Sequence, residues 1–445
     1  MKHINLVIFA SILHDGTSVM NSRKQLFENI RSFAEVEIIY PTMLSSMLSR
    51  SKYSEDGDSF TDYDNIDFRE KDKEMTSTLC FIATGGTEEI FKSFINILPK
   101  PIIILSDGLH NSLAAAFEIC TFLKNNGIDN TLLNAPLDNN PVFFKRMEKI
   151  LFSADTAHPA PKELDINPHK ADFTKSVLHY FSKAKIGLIG GESPWLISSK
   201  VDTLYIEKKY DVKFLEIPIS ELEQSFNNID LSAPEIKGIV SKMEQYLIGG
   251  RTKEDLEAAA GMYVAIKNIC IKYELKALTI KCFSILDSCR TTACLALSLL
   301  NDEGIISGCE GDIQTLWSMM YCYAAYSKCS FMANPSSSNK DELTVDFSHC
   351  TIPLSIVHGF RLPSHFESSS GIAISGSVPC GKYNLIKFSG LQLERFYLGR
   401  GIVIMNTNIE QRCRTQIRFK FNSADEFDNF MNNRSGNHFV LVSDE

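Results

Sequence analysis

The sequence predicts a mixed α/β protein: two parallel-sheet α/β domains followed by a β-barrel-like C-terminal domain. Three observations predict it. From residue 4 to about residue 310, short apolar runs alternate with helix-period segments, the pattern of parallel strands covered by helices. After about residue 331 the segments become strand-like and turn-rich, with Gly371, Gly376, Gly381, Gly390, Gly399 and Gly401 between or within them. That texture favours a closed or sandwiched β domain. Between the two α/β sets, Pro159, Pro161 and Pro168 punctuate an aperiodic stretch. The expected domains are therefore 1–157, 158–330 and 331–445.

Within the first domain, INLVIFA (4–10) reads as a strand, 22–33 has helix spacing, and VEIIYP (36–41) reads as a second strand. Residues 49–76 are polar, charged and without period, so a surface excursion is expected there. The rhythm resumes with LCFIATGG, a helix from Thr87, PIIILSD, a helix from about Asn111, and NTLLNA. The second domain brings IGLIGG, KFLEIP, helices around 232–247 and 252–273, ALTIKCF, a helix at 292–300, the apolar run IISGC and a helix over 313–329. A polar turn is expected over Asn334–Asn339. The last domain carries LTVDFSHCTIP, GIAISGSVP, KYNLIKFSG, RFYLGRGIVIM, CRTQIRFKF and HFVLVSD, with one short helix over 423–431.

Composition narrows the function. A net charge of −9 argues against nucleic acid or an anionic membrane as the main partner. The first apolar run is too short for a signal peptide, and no run reaches the roughly 18 residues of a spanning helix. Twelve cysteines with no CxxC pair sit mostly in apolar segments, the usage of buried thiols in a reducing compartment. A cytoplasmic protein is the expectation.

Several clusters could carry chemistry. Gly85-Gly86-Thr87-Glu88 follows a strand and opens a helix, where free N–H groups suit an anion or a sugar oxygen. Gly190-Gly191-Glu192-Ser193 has the same context; for both, the plainer reading is a tight turn that needs glycine. Glu310 ends an apolar strand, where ligands of α/β sheets bind. Lys281 ends another strand, as a substrate contact or as the ion partner of Glu310. Asp312 either joins the site or caps the helix that starts at Ile313. His349 shares a strand face with Val345 and Phe347, while Asp346 points to the other face unless the strand bulges. The plainer reading of His349 is a core histidine bonded to a backbone carbonyl, and that of His438 a turn histidine. His365 and Glu367 form a further polar cluster. Three histidines and several acids in one β domain suggest a metal site.

ATGGTEE, NDEGIISGCEGD, FMANP, HCTIP, RLPSHFESSSG, RCRTQIRF and GNHFVLVSDE fall in one order along nearly the whole chain. Together they resemble the L-fucose isomerase / L-arabinose isomerase superfamily, most of all its fucose-isomerase-related branch. The resemblance implies two Rossmann-like domains and a β-barrel, assembly into trimers or hexamers, and a small-molecule sugar substrate. It implies aldose–ketose interconversion through an enediol, with a divalent metal, Mn²⁺ before Mg²⁺ or Co²⁺. Glu310 matches the family's first acidic ligand and base. His438 matches the late histidine ligand, and His349 the histidine that arabinose isomerases use. The distal sugar would meet loops near Trp195, His110, Arg361 and Glu367. Where the family carries a second acid, this chain has Asn334, which could still orient a hydroxyl. Asp346, Asp312, Glu367 or Lys281 would then complete the proton chemistry. The altered set leaves two further expectations: a metal-assisted sugar epimerase, or a sugar-binding homologue without catalysis.

Overall fold

The computed structural model describes residues 2–11, 16–39, 76–152 and 171–444. The charged stretch expected as a surface excursion lies outside them up to residue 75, as does the expected divide at 157/158. Two compact units form: residues 1–164, 336–339 and 431–437 make one, and residues 165–335, 340–430 and 438–445 the other.

The first unit holds a five-stranded parallel sheet. Its strands are β1 (His3–Phe9), β2 (Glu35–Ile39), β3 (Thr76–Ile82), β4 (Ile102–Ser106) and β5 (Asn130–Asn134), in the order β2-β1-β3-β4-β5. The central strands are buried along most of their length, which explains their near-continuous apolar runs. At their carboxyl ends Arg23 is almost fully buried. Its Nε and Nη2 donate to Asp107 at 2.7 and 3.1 Å, and Nη2 also donates to the Ala83 carbonyl at 2.7 Å. Buried charges persist only when paired in this way.

The second unit begins with a four-stranded parallel sheet: β6 (Lys185–Ile189), β7 (Lys213–Ile217), β8 (Ala277–Ile280) and β9 (Ile306–Gly308), in the order β7-β6-β8-β9. The longest described helix, Lys253–Tyr273, opens with a reciprocal capping box between Thr252 and Asp255. After β9 comes the helix Ile313–Tyr326, capped by Asp312 as the sequence suggested. Trp317 of this helix is buried against Phe181, ring centroids 4.3 Å apart.

The chain then closes a six-stranded barrel from β10 (Phe331–Asn339), β11 (Thr344–His349), β14 (Gly381–Ser389), β15 (Arg395–Asn406), β16 (Thr415–Phe421) and β17 (Phe439–Ser443). The order is β10-β11-β16-β15-β14-β17. The short strands β12 (Gly359–Arg361) and β13 (Ser375–Ser377) pair separately. Closure removes the sheet edges, which is why these turn-rich segments need no covering layer on every side. The helix Ile313–Tyr326 docks on β14: the Phe388 N–H donates to Ser318 Oγ at 2.8 Å, and Tyr321 meets the Phe388 ring at 5.1 Å.

One expectation fails here. Asn334–Asn339 is not a turn but the second half of β10. Phe331–Ala333 pair with β17, and the strand runs on through Asn339 against the local turn preference of Asn, Pro and Ser. Pro335 lacks an N–H, so it can stand in a strand only where none is required.

Candidate metal centre

Glu310 stands at the end of β9 in an unusual backbone conformation. Its φ is 60°, and that of Gly311 is 71°. Two successive left-handed residues turn the chain sharply from strand to helix, at a cost of about 1–2 kcal/mol for the non-glycine one. Gly311 has no alternative: a Cβ there would lie 2.3 Å from the Gly191 carbonyl oxygen and 2.7 Å from the Glu192 Cα. The Gly190–Ser193 turn thus packs backbone to backbone on the Glu310 turn, and the Ser193 N–H donates to the Glu310 carbonyl at 3.2 Å. Its glycines have φ of 79° and 76°, the left-handed conformation that favours glycine, and Glu192 pairs with Lys200 at 2.7 Å.

Three side chains from distant parts of the chain converge on this turn. The ligand atoms of Glu310, His349 and His438 all lie within 4.8 Å of one another. Nε2 of His438 is 3.4 Å from Glu310 Oε1, and Nε2 of His349 is 3.8 Å from the same oxygen. The opposite nitrogens are tied down. His349 Nδ1 lies 2.8 Å from Thr351 Oγ1, and His438 Nδ1 lies 3.0 Å from Asp312 Oδ2. That is how metal-binding imidazoles are held: one nitrogen oriented by an outer partner, the other left for the ion.

The fit of a cation can be tested on His438. Its Nε2 is fully buried, has no hydrogen-bond partner and faces a carboxylate oxygen. A buried polar atom left so is costly unless something fills the gap. Two imidazoles and one carboxylate could hold a metal ion.

The electrostatics agree. Burial alone would raise the Glu310 carboxyl, but the two imidazoles beside it, His438 before His349, outweigh burial and hold it well below the usual carboxylate range. Burial disfavours the charged form of His438, yet Glu310 and Asp312 outweigh it and push the imidazole up to about 9. For His349 burial wins over the bond to Glu310, and its pKa is lowered.

The other expected residues divide. Trp195 joins the site: its Nε1 donates to Glu310 Oε2 at 2.7 Å. Trp195 packs edge-on against Phe283 at 5.1 Å, and Phe283 against His365 at 5.7 Å. His365 Nε2 is 4.0 Å from Glu367 Oε2, and its Nδ1 lies 3.0 Å from Ser368 Oγ. An aromatic wall therefore runs from Glu310 to the His365–Glu367 pair. Asn334 is buried on β10, one step past the Ala333–Phe439 ladder pair and so beside the level of His438. Asp312 is fully buried, with Oδ1 accepting from the Thr315 N–H at 2.8 Å. It is a support for His438 as well as the helix cap, and not a substrate contact, because no surface of it is open.

Asp346 does not enter the site. The β11–β16 register runs unbroken from Thr344–Lys420 to His349–Thr415, so no bulge brings Asp346 to the His349 side. Instead Arg418 Nε and Arg412 Nη1 donate to its two oxygens at 2.7 and 2.8 Å. Lys281 is part-buried after β8, but the partners of the Glu310 carboxylate are Trp195, His349 and His438, and Lys281 is not one of them. Nor is His349 bonded to a backbone carbonyl at Nδ1; the Thr351 hydroxyl takes that role.

Gly85, Gly86 and His110 lie in the first unit. The Gly85 N–H donates to the His110 carbonyl at 2.8 Å, and Gly86 has φ 77°. The pair therefore makes the tight strand-to-helix turn that needs glycine.

Thr351, Thr315, Phe283 and Lys387 escaped the sequence reading. Thr351 had a signal, since it stands two residues after His349 in a strand-like run. Lys387 had one too: it interrupts an apolar strand that is otherwise buried.

No family model matches the chain, and no curated protein matches it. Among solved structures, A-type ketoreductases from a modular polyketide synthase align over 69% of this chain and 79% of theirs, at 10% identity and a TM-score of 0.24. A likeness that slight carries no argument. Among the described residues, no helix is long and apolar enough to cross a membrane.

Proposed function

We propose that this chain is a metal-dependent sugar isomerase that interconverts an aldose and a ketose through an enediol, related to the L-fucose and L-arabinose isomerases and active as a trimer or hexamer. The observation that supports it most is the convergence of Glu310, His349 and His438, with both histidines oriented from behind. The two parallel sheets followed by a barrel are consistent with that family. A bound divalent ion, Mn²⁺ in this reading, supplies polarisation of the substrate's carbonyl and hydroxyl oxygens.

The chain's own residues do the rest. Glu310 is kept ionised and is the group to accept the proton from the substrate carbon. Trp195 fixes its second oxygen, so that Oε1 alone faces the histidines. The Trp195–Phe283 wall offers an apolar face to the sugar's C–H edges. His365 and Glu367, at the far end of that wall, are the second proton-handling pair in place of the acid replaced by Asn334.

The test is a panel of aldoses incubated with Mn²⁺-loaded protein. Ketose formation that disappears in Glu310→Gln is the expected result. Hydrogen exchange at C2 without net ketose would replace this reading with an epimerase. Sugar binding with neither turnover nor metal dependence would leave a binding protein.

A further inference from the structure

Lys387 has no place in the mechanism above, yet it is a lysine whose side chain is 0% exposed. It sits on β14, facing the first turn of the helix Ile313–Tyr326. Its Nζ donates to Thr315 Oγ1 at 2.7 Å and lies 3.4 Å from Asp312 Oδ2. The Thr315 hydroxyl donates in turn to Asp312 Oδ2 at 2.6 Å, and His438 Nδ1 reaches the same oxygen at 3.0 Å.

We propose that Lys387 is a positioning residue for the metal ligand His438, acting through Asp312. The inference rests on the metal-site reading and adds to it a residue outside the ligand set. A hydroxyl has one proton to give. Because Thr315 gives it to Asp312, its own oxygen must accept, and Lys387 is the donor placed to fill it. The line of donors thus runs one way, from Lys387 through Thr315 to Asp312.

Asp312 then presents a charged oxygen to His438. An imidazole that offers Nε2 to a metal must carry its proton on Nδ1, and that proton needs an acceptor. A carboxylate with no solvent exposure holds its charge only beside a compensating cation. Lys387 is that cation. Without it Asp312 is left with Thr315 and the imidazole itself as partners, and its hold on the ring's plane and tautomer weakens.

The experiment measures Mn²⁺ affinity by calorimetry on the full chain, together with the Tm of the metal-free protein. Wild-type protein that binds no Mn²⁺ would sink the metal reading itself, before any variant is made. If it binds, Lys387→Met is expected to weaken Kd by about 10–100-fold. An unchanged Kd with a lowered Tm would show that Lys387 only holds helix to barrel, and would overturn the proposal alone. Because removing one partner of a buried pair can prevent folding, Asp312→Asn and the double variant D312N/K387M are compared as well. A residue that works through Asp312 adds nothing once Asp312 is gone. Equal Kd in those two variants supports the proposal; a further loss in the double variant refutes it.

Discussion

Nε2 of His438 faces Oε1 of Glu310 at 3.4 Å, although one residue ends a strand of the parallel sheet and the other precedes the last strand of the barrel. This contact is one of those that join the two architectures of the second unit. It also says where a cation would go, since the nitrogen has no other partner.

Mn²⁺ should therefore stabilise the fold. At a free concentration of 100 times Kd, a ligand of the native state adds about 2.7 kcal/mol. Thermal denaturation with and without Mn²⁺ should show a rise of several degrees in wild type. His438→Ala should show little or none, and a shift as large as wild type would exclude His438 as a ligand.

Thr351→Val keeps the shape of the side chain and removes the hydroxyl partner of His349 Nδ1. Loss of such an outer partner typically costs 10–100-fold in metal affinity. We expect about 10-fold, with the metal-free Tm nearly unchanged. Titration of Mn²⁺ into the variant reads this directly, and wild-type affinity would remove Thr351 from the site.

Gly311→Ala should be severe. The added Cβ meets backbone atoms of the Gly191–Ser193 turn, which cannot rotate away, and the left-handed φ adds strain. Together these should cost more than about 2 kcal/mol. Urea denaturation checks the stability. The Mn²⁺-induced Tm shift checks whether Glu310 has moved with its neighbour.

Asp346 gives a pH prediction. Burial would raise its carboxyl, but hydrogen bonds and charge from Arg418 and Arg412 hold it below the ordinary value. A depressed folded pKa means stability that is present above the unfolded pKa, about 3.9, and lost as pH falls through the folded value. Asp346→Asn should cost about 3–5 kcal/mol at pH 7, as for other broken buried pairs. The gap from wild type should narrow steadily below about pH 4. Parallel curves down to pH 2 would contradict the ion-pair account.

Much of the fold was legible because periodicity reports burial. The runs at 4–10, 101–107 and 277–283 alternate with helical segments, and the parallel sheets follow. Gly-punctuated strands after 331 became the barrel. What misled was local: Asn334–Asn339 has turn chemistry, yet it continues the strand β10.

At the site, alternation along LTVDFSH already separated Asp346 from His349, because side-chain direction in a regular strand is set by parity alone. Asp312 as a cap was likewise a local matter, decided by backbone N–H groups that need an acceptor. The sequence by itself determined the sheet-then-barrel order, the acid at the end of β9 and the two histidines. Only the tertiary structure decided that Glu310, His349 and His438 share one oxygen's surroundings, that Arg412 and Arg418 take Asp346 away, and that Lys387 stands behind Asp312. Those are contacts between residues far apart in the chain. They depend on how a helix docks on a barrel, and no local preference encodes that.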